Sequence, residues 1–148
     1  MSNSTVVLIT GVSSGIGRAT AEKFASEGCR VFGSVRNLKK ALPIPGVELI
    51  EMDVTQDESV QQAVTVVIER AKRIDVLVNN AGGTIIGAVE ETSVAEAISL
   101  FDTNVFSILR TTQAVLPYMR AQRAGRIINI SSVLGFLPAP YMGVYSAT

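Results

Sequence analysis

Thr10-Gly11-Val12-Ser13-Ser14-Gly15-Ile16-Gly17 follows an unbroken apolar run, Thr5-Val6-Val7-Leu8-Ile9. A buried strand that delivers the chain into a glycine loop is how an α/β protein builds a pocket for pyrophosphate. Gly11 suits a tight turn, while Gly15 and Gly17 let backbone and helix approach phosphates with no Cβ in the way. The helix expected next, over residues 16–27, aims its free N–H groups and positive dipole end at the anion. The spacing is G-x-x-x-G-x-G. A strand–helix turn with no ligand would read the same way, so the loop alone leaves both readings open.

Composition narrows the classes. The chain has 148 residues, 47% of them apolar, enough for one domain with a real core. Thirteen basic residues balance thirteen acidic ones, so the basic footprint of a nucleic-acid binder is absent and no nucleic-acid partner is expected. Histidine is absent, which excludes Ser-His-Asp and Cys-His catalysis and histidine-ligated metal; no metal site is expected. No G-K-S/T follows a glycine loop, so P-loop chemistry is not indicated. Cys29 alone forms no internal disulfide, and Met1-Ser2-Asn3-Ser4 lacks a charged-then-apolar signal segment. A cytoplasmic protein is the expectation. Residues 127–148 carry no charge, yet Asn129, Ser131, Ser132, Pro138 and Pro140 would be costly in lipid. That stretch reads as a buried strand running into a sheltered apolar loop, and no membrane span is expected.

Apolar runs alternate with helical segments. Strands are predicted over 6–9, 30–35, 48–52, 74–78 and 126–130. Between them lie helices over 16–27, 57–72, 94–101 and 105–120, and a short turn over 38–41 closed by Pro43 and Pro45. In the second helix Val60, Ala63, Val64, Val67, Ile68 and Ala71 recur at helical spacing. Asp57 is placed to cap it, and Gly125 to stop the last helix. Alternating strand and helix with apolar strands implies a parallel sheet covered on both faces, joined by right-handed crossovers. The fold class is α/β, a doubly wound, Rossmann-like parallel sheet in one domain over 1–148.

Motifs then gather at the carboxyl ends of the predicted strands, where such sheets bind ligands. The glycine loop follows the first, Asp53-Val54 the third, and Asn79-Asn80-Ala81-Gly82 the fourth. Asn104 opens the long helix before the fifth strand, after which come Ser131-Ser132 and Tyr145. T-G-x-x-x-G-x-G, N-N-A-G and S-x12-Y, in this order, resemble the short-chain dehydrogenase/reductase family, and the likeness runs the whole chain.

The resemblance implies a nicotinamide dinucleotide cofactor. Gly11, Ser13, Gly15, Ile16 and Gly17 would line its pyrophosphate and ribose. Asp53 would accept from the adenine amino group, with Val54 beside the ring; equally, Asp53 could cap the helix entry ahead of Thr55. Asn79, Ala81 and Gly82 would lie against the cofactor, while Asn80 looks the more structural of the asparagine pair. Folds of this kind that prefer NAD place an acid at the end of the second strand. Here Ser34-Val35-Arg36-Asn37 offers none, and the Arg36 fork suits a 2′-phosphate. Alternatively Arg36 is a solvent-facing arginine beside a turn. NADP(H) is expected over NAD(H).

The family's reaction moves a hydride between nicotinamide and a carbonyl or alcohol carbon, with a proton moved to or from the oxygen. Tyr145 matches the tyrosine that moves it. Ser132, thirteen residues earlier, would hydrogen-bond the substrate oxygen and is preferred to Ser131 on spacing. Asn104 would anchor a water that relays protons, unless it serves only as a helix start. A free phenol titrates near pH 10, so only about one in a thousand is ionised at neutral pH. The family counters this with a lysine four residues after the tyrosine; the sequence ends at Thr148, one residue before that position. The expectation is a C-terminally truncated form of the fold with little or no activity by itself, and with an apolar patch exposed on one sheet face. The family commonly pairs through the helix at 105–120 together with the helix that would carry the lysine, so its oligomeric state does not carry over, and a homo-oligomer is no more than compatible with the resemblance.

Val133-Leu134-Gly135-Phe136-Leu137-Pro138-Ala139-Pro140-Tyr141-Met142 and Thr84-Ile85-Ile86-Gly87 are almost wholly apolar. They suit a small hydrophobic ketone or secondary alcohol, steroid-, retinoid- or lipid-like, or else they merely pack the core. Three readings stand at this stage: an NADP-dependent oxidoreductase, a cofactor-binding but inactive protein that senses NADPH or partners a homologue, and a structural subunit.

Overall fold

The computed structural model describes residues 4–148; Met1, Ser2 and Asn3, on which the reading of the N-terminus rests, lie outside the described residues. Five strands form one parallel sheet: β1 (Val6–Ile9), β2 (Arg30–Val35), β3 (Val47–Glu51), β4 (Val76–Asn79) and β5 (Arg126–Asn129). Their order is β3-β2-β1-β4-β5, every pairing parallel. Chain direction across the sheet reverses between β1 and β4, and the crevice above that switch point is where this architecture takes ligands.

Period-two alternation sends neighbouring side chains to opposite faces. Val6 and Leu8 join Phe32, Ile50 and Leu77 beneath α2 (Asp57–Ala71), which contributes Val60, Ala63, Val64 and Val67 to the same core. Val7 and Ile9 join Val31, Val35 and Val78 beneath α1 (Gly15–Ser26). The expected two-sided burial is thus present, and the doubly wound Rossmann-like fold is the one adopted.

Three local expectations need correction. The helices predicted over 94–101 and 105–120 are one continuous run: α3 (Val94–Phe101), a π-helical turn (Asp102–Phe106) and α4 (Ser107–Gln122). Asn104 therefore sits inside the wide turn and opens no helix. Asp57 is the first helical residue of α2 and does not cap it; the N-cap is Gln56, and the Asp57 carboxylate turns to Arg110 instead. Gly125 does not stop α4 either. Arg123 ends it in the left-handed region at φ 55°, and Gly125 is small because a Cβ there would meet Met119 at 2.5–2.8 Å.

The outer face of the α3–α4 run leaves Val94, Ile98, Phe106 and Leu109 exposed. Among the described residues, no helix is long and apolar enough to cross a membrane.

Candidate active site

The glycine loop begins where β1 ends. Thr10 is buried, and its Oγ1 accepts the N–H groups of Asn80 and Ala81, 3.0 Å each. Asn80 returns the tie: its Nδ2 donates to the carbonyls of Thr10 and Gly11, again at 3.0 Å. Ends of β1 and β4 are thereby fastened across the switch point. Gly11 turns at φ +71°, and a Cβ there would lie 2.9 Å from Ala81 Cα, so two constraints demand glycine. Gly17 meets a stricter one, because its Cβ would lie 2.3 Å from both Asn80 Nδ2 and the Gly11 carbonyl oxygen. Protein packing as well as ligand clearance therefore fixes this glycine.

α1 leaves its opening N–H groups available to an anion. Ser14, the N-cap, makes no side-chain cap bond, and the first turn holds no carboxylate. Above it lies a cleft of about 610 Å³ lined by Gly11, Ser13, Ile16, Gly17, Arg36, Asp53, Val54, Ala81 and Gly82. Gly15, also expected there, does not line the cleft; at φ +58° it shapes the helix entry. Sequence reasoning passed over Ser14, Ser34, Thr55, Ser99 and Thr103, which complete the walls. Ser99 and Thr103 lie one turn apart on the α3–π run, and a sheet-centred reading of motifs gives no signal for them.

At one end of the cleft, Asp53 Oδ1 accepts from Thr55 twice, from N at 3.0 Å and from Oγ1 at 2.7 Å. The Thr55 backbone bond, then its hydroxyl bond, pulls the Asp53 pKa down; burial opposes this, and the charges of Arg36 and Arg110 add to it. Arg36 is exposed at the same end and enters no ion pair among the described residues.

A second cavity of about 480 Å³ holds Asn104, Ser132 and Tyr145, together with Ser131, Asn79 and Thr148. It shares Ile16, Asn80, Ala81, Gly82 and Gly83 with the first, so the two lie side by side. Asn104 grips Gly83: Oδ1 accepts its N–H at 2.8 Å and Nδ2 donates to its carbonyl at 3.0 Å. Nδ2 also donates to Thr148 Oγ1 at 2.9 Å. Ser132 Oγ accepts the Leu134 N–H at 3.2 Å, which leaves its hydrogen free to be donated. Asn79 is buried, its Nδ2 donating to Asn129 Oδ1 at 2.9 Å and its Oδ1 accepting from Thr111 at 2.7 Å. Both members of the asparagine pair are thus held by protein partners. The apolar loops flank this cavity, with Ile86, Val133, Phe136, Leu137 and Tyr141 exposed rather than packed into the core.

The fit to a dinucleotide can be judged from these contacts. A switch-point cleft of this volume, an unopposed helix N-terminus, a carboxylate at one end and an unpaired arginine beside it suit pyrophosphate, adenine and ribose in turn. Among the described residues no cluster of three His, Cys, Asp or Glu could hold a metal ion.

The sequence matches the family model for short chain dehydrogenases over residues 5–148. It is 45% identical over 143 residues to a 3-ketodihydrosphingosine reductase of Bacteroides thetaiotaomicron, covering 97% of this chain and 52% of that protein. A solved structure titled ElxO with NADP bound superposes with a TM-score of 0.92 at 30% identity, covering 97% of this chain and 62% of the other. An NADH-dependent reductase complexed with NAD superposes at 0.88 with 28% identity, covering 97% and 66%. The chain belongs to the short-chain dehydrogenase family, a family of oxidoreductases. It spans about half the length of the curated relative from Bacteroides.

Proposed function

We propose that residues 1–148 supply the dinucleotide-binding part of an oxidoreductase that transfers hydride between NADP(H) and a hydrophobic ketone or secondary alcohol. One observation carries this reading: Asn104, Ser132 and Tyr145 line a cavity that shares Ile16 and Asn80–Gly83 with the glycine-loop cleft. A bound nicotinamide would supply or accept the hydride in that shared stretch.

The chain's own residues do the rest. The opening turn of α1, with Ser13 and Ile16, holds the pyrophosphate and ribose, and Asp53 and Val54 hold the adenine. Tyr145 gives its phenolic proton to the substrate oxygen during reduction and takes it back during oxidation. Ser132 donates to the same oxygen, the Leu134 N–H taking one of its own lone pairs and leaving its hydrogen free. Asn104 fixes the N-N-A-G turn through Gly83 and offers a place for a relay water.

Arg36, placed at the end of β2 with no carboxylate nearby on that strand, supports NADP(H) over NAD(H). The exposed apolar loops support a hydrophobic substrate, and the relative from Bacteroides is by its name a 3-ketodihydrosphingosine reductase. Association of two copies through the outer face of the α3–α4 run belongs to the same reading, supported by exposed Ile98, Phe106 and Leu109.

The test is NADPH consumption by the full-length protein with 3-ketodihydrosphingosine and with a steroid ketone, alongside Tyr145→Phe. Turnover that Tyr145→Phe abolishes while NADPH still binds is the expected result. Undiminished turnover in Tyr145→Phe, or no NADPH binding by the wild type, overturns the reading.

A further inference from the structure

Arg110, on α4, lines neither cavity, yet it pairs with a carboxylate two positions from a residue of each, Thr55 and Asn104. Its Nε donates to Asp57 Oδ1 at 2.6 Å and its Nη2 lies 2.7 Å from Asp102 Oδ1. Asp57 is the first residue of α2, two positions past Thr55, which holds Asp53. Asp102 opens the π-helical turn, two positions before Asn104, which holds Gly83. One planar guanidinium therefore ties the adenine end of the cleft to the turn that carries the proton-relay asparagine.

Stability alone does not account for this residue. The Arg110 side chain is 24% exposed, and its Nη1 is buried with no partner among the described residues. Asp57, at 85% exposed, is held against water, where an ion pair adds little. A half-buried arginine with one orphaned nitrogen is commonly no more stabilising than an apolar side chain of its size. What an apolar side chain could not supply is a rigid fork joining two carboxylates. Arg110 also acts on Asp53 through space, as one of the charges that lower its pKa.

We propose that Arg110 is a positioning residue that anchors both the cofactor's adenine subsite and the Asn104 turn, each through its own carboxylate arm. The proposal rests on the functional reading above, and it predicts a division of labour. Asp57→Asn loosens only the adenine end, so NADPH affinity falls about 3- to 10-fold and kcat holds. Asp102→Asn loosens only the relay turn, so kcat falls about tenfold and NADPH affinity holds. Arg110→Met does both and keeps its Tm within a few degrees of wild type.

The experiment measures NADPH titration, steady-state kinetics and amide hydrogen exchange on these three variants of the full-length protein. Faster exchange at residues 53–57 in Asp57→Asn, at 83 and 102–104 in Asp102→Asn, and at both in Arg110→Met is expected with the kinetic split. The exchange arm needs no turnover, so an inactive wild type would sink the functional reading while exchange still decided this one. Two outcomes overturn this double anchoring. One is Arg110→Met with unchanged exchange at both places, whatever its Tm. The other is Asp57→Asn and Asp102→Asn giving the same pattern as each other. Should Arg110→Met fail to fold, the exposed Asp57→Asn and the conservative Asp102→Asn decide it.

Discussion

Asn104 holds Gly83 by both of its backbone polar atoms, accepting from N at 2.8 Å and donating to the carbonyl at 3.0 Å. A side-chain amide here completes what a neighbouring strand would otherwise supply, because Gly83 lies past the end of β4 and has no ladder partner. The wide turn at Asp102–Phe106 puts the amide at that reach. Interruptions of this kind inside a helix commonly sit at working sites.

Asn104→Ala therefore removes three hydrogen bonds, two to the partly exposed Gly83 and one to Thr148, at an expected cost of about 1–3 kcal/mol. Asn104→Asp does not rescue it. The acceptor to Gly83 N survives, but the second oxygen faces the Gly83 carbonyl. Urea denaturation of both variants checks the order: Asp at least as destabilised as Ala at pH 7. A fully stable Asn104→Asp would contradict the amide orientation described.

Gly17→Ala tests whether protein packing fixes the glycine loop. The added Cβ would sit 2.3 Å from Asn80 Nδ2 and 2.3 Å from the Gly11 carbonyl. A side chain can swing away, but backbone at the turn cannot do so cheaply, so about 2–4 kcal/mol is expected. Asn80→Ala by itself loses the ties to Thr10 and Gly11 and costs about 1–3 kcal/mol. Combining the two relieves only the Asn80 half of the clash. The double variant should remain less stable than Asn80→Ala, which thermal melts can decide.

Arg36→Ala separates the cofactors. If its guanidinium meets a 2′-phosphate, losing that charged contact costs about 1.5–3 kcal/mol, or roughly 10- to 100-fold in NADPH affinity. NADH, with no 2′-phosphate, should bind almost unchanged. Calorimetric titration of both cofactors gives the answer, and equal effects on the two would place Arg36 outside the ribose site.

Much of this was legible in the sequence, for identifiable reasons. The strands ended within two residues of their predicted limits because most are apolar runs closed by a polar or glycine residue, as Ile9 is by Thr10-Gly11. The placement of the motifs followed, since a parallel sheet puts all its carboxyl ends on one edge. What escaped was set by contacts distant in sequence. The π-helical turn has no composition signature, so Asn104 read as a helix start. Asp57 read as a cap because nothing local announces Arg110, 53 residues away. Gly17 read as ligand clearance because Asn80, its packing partner, is known only once β1 and β4 are neighbours. One signal was available and passed over: Ser93-Val94-Ala95-Glu96 is a capping box, with Ser93 Oγ accepting from Glu96 N at 3.2 Å and Glu96 Oε2 accepting from Ser93 N at 2.9 Å.

Asp53 gives a prediction in pH. Two donations from Thr55 favour its carboxylate, burial works against them, and the charges of Arg36 and Arg110 reinforce them, leaving its pKa lowered. A group whose pKa is lower folded than unfolded contributes stability above its unfolded value, near 3.9, and loses it as pH falls toward the folded value. Stability of wild type relative to Asp53→Asn should therefore hold steady from pH 7 to about 5 and shrink below about pH 4. Thr55→Val removes the hydroxyl donation and keeps the backbone one, so its acid-dependent difference from Asp53→Asn should be smaller without vanishing. Urea unfolding at pH 6, 4 and 3 measures each step. A gap between wild type and Asp53→Asn that widens on acidification would mean the carboxyl group is stabilised in its protonated form, and that Thr55 does not govern it.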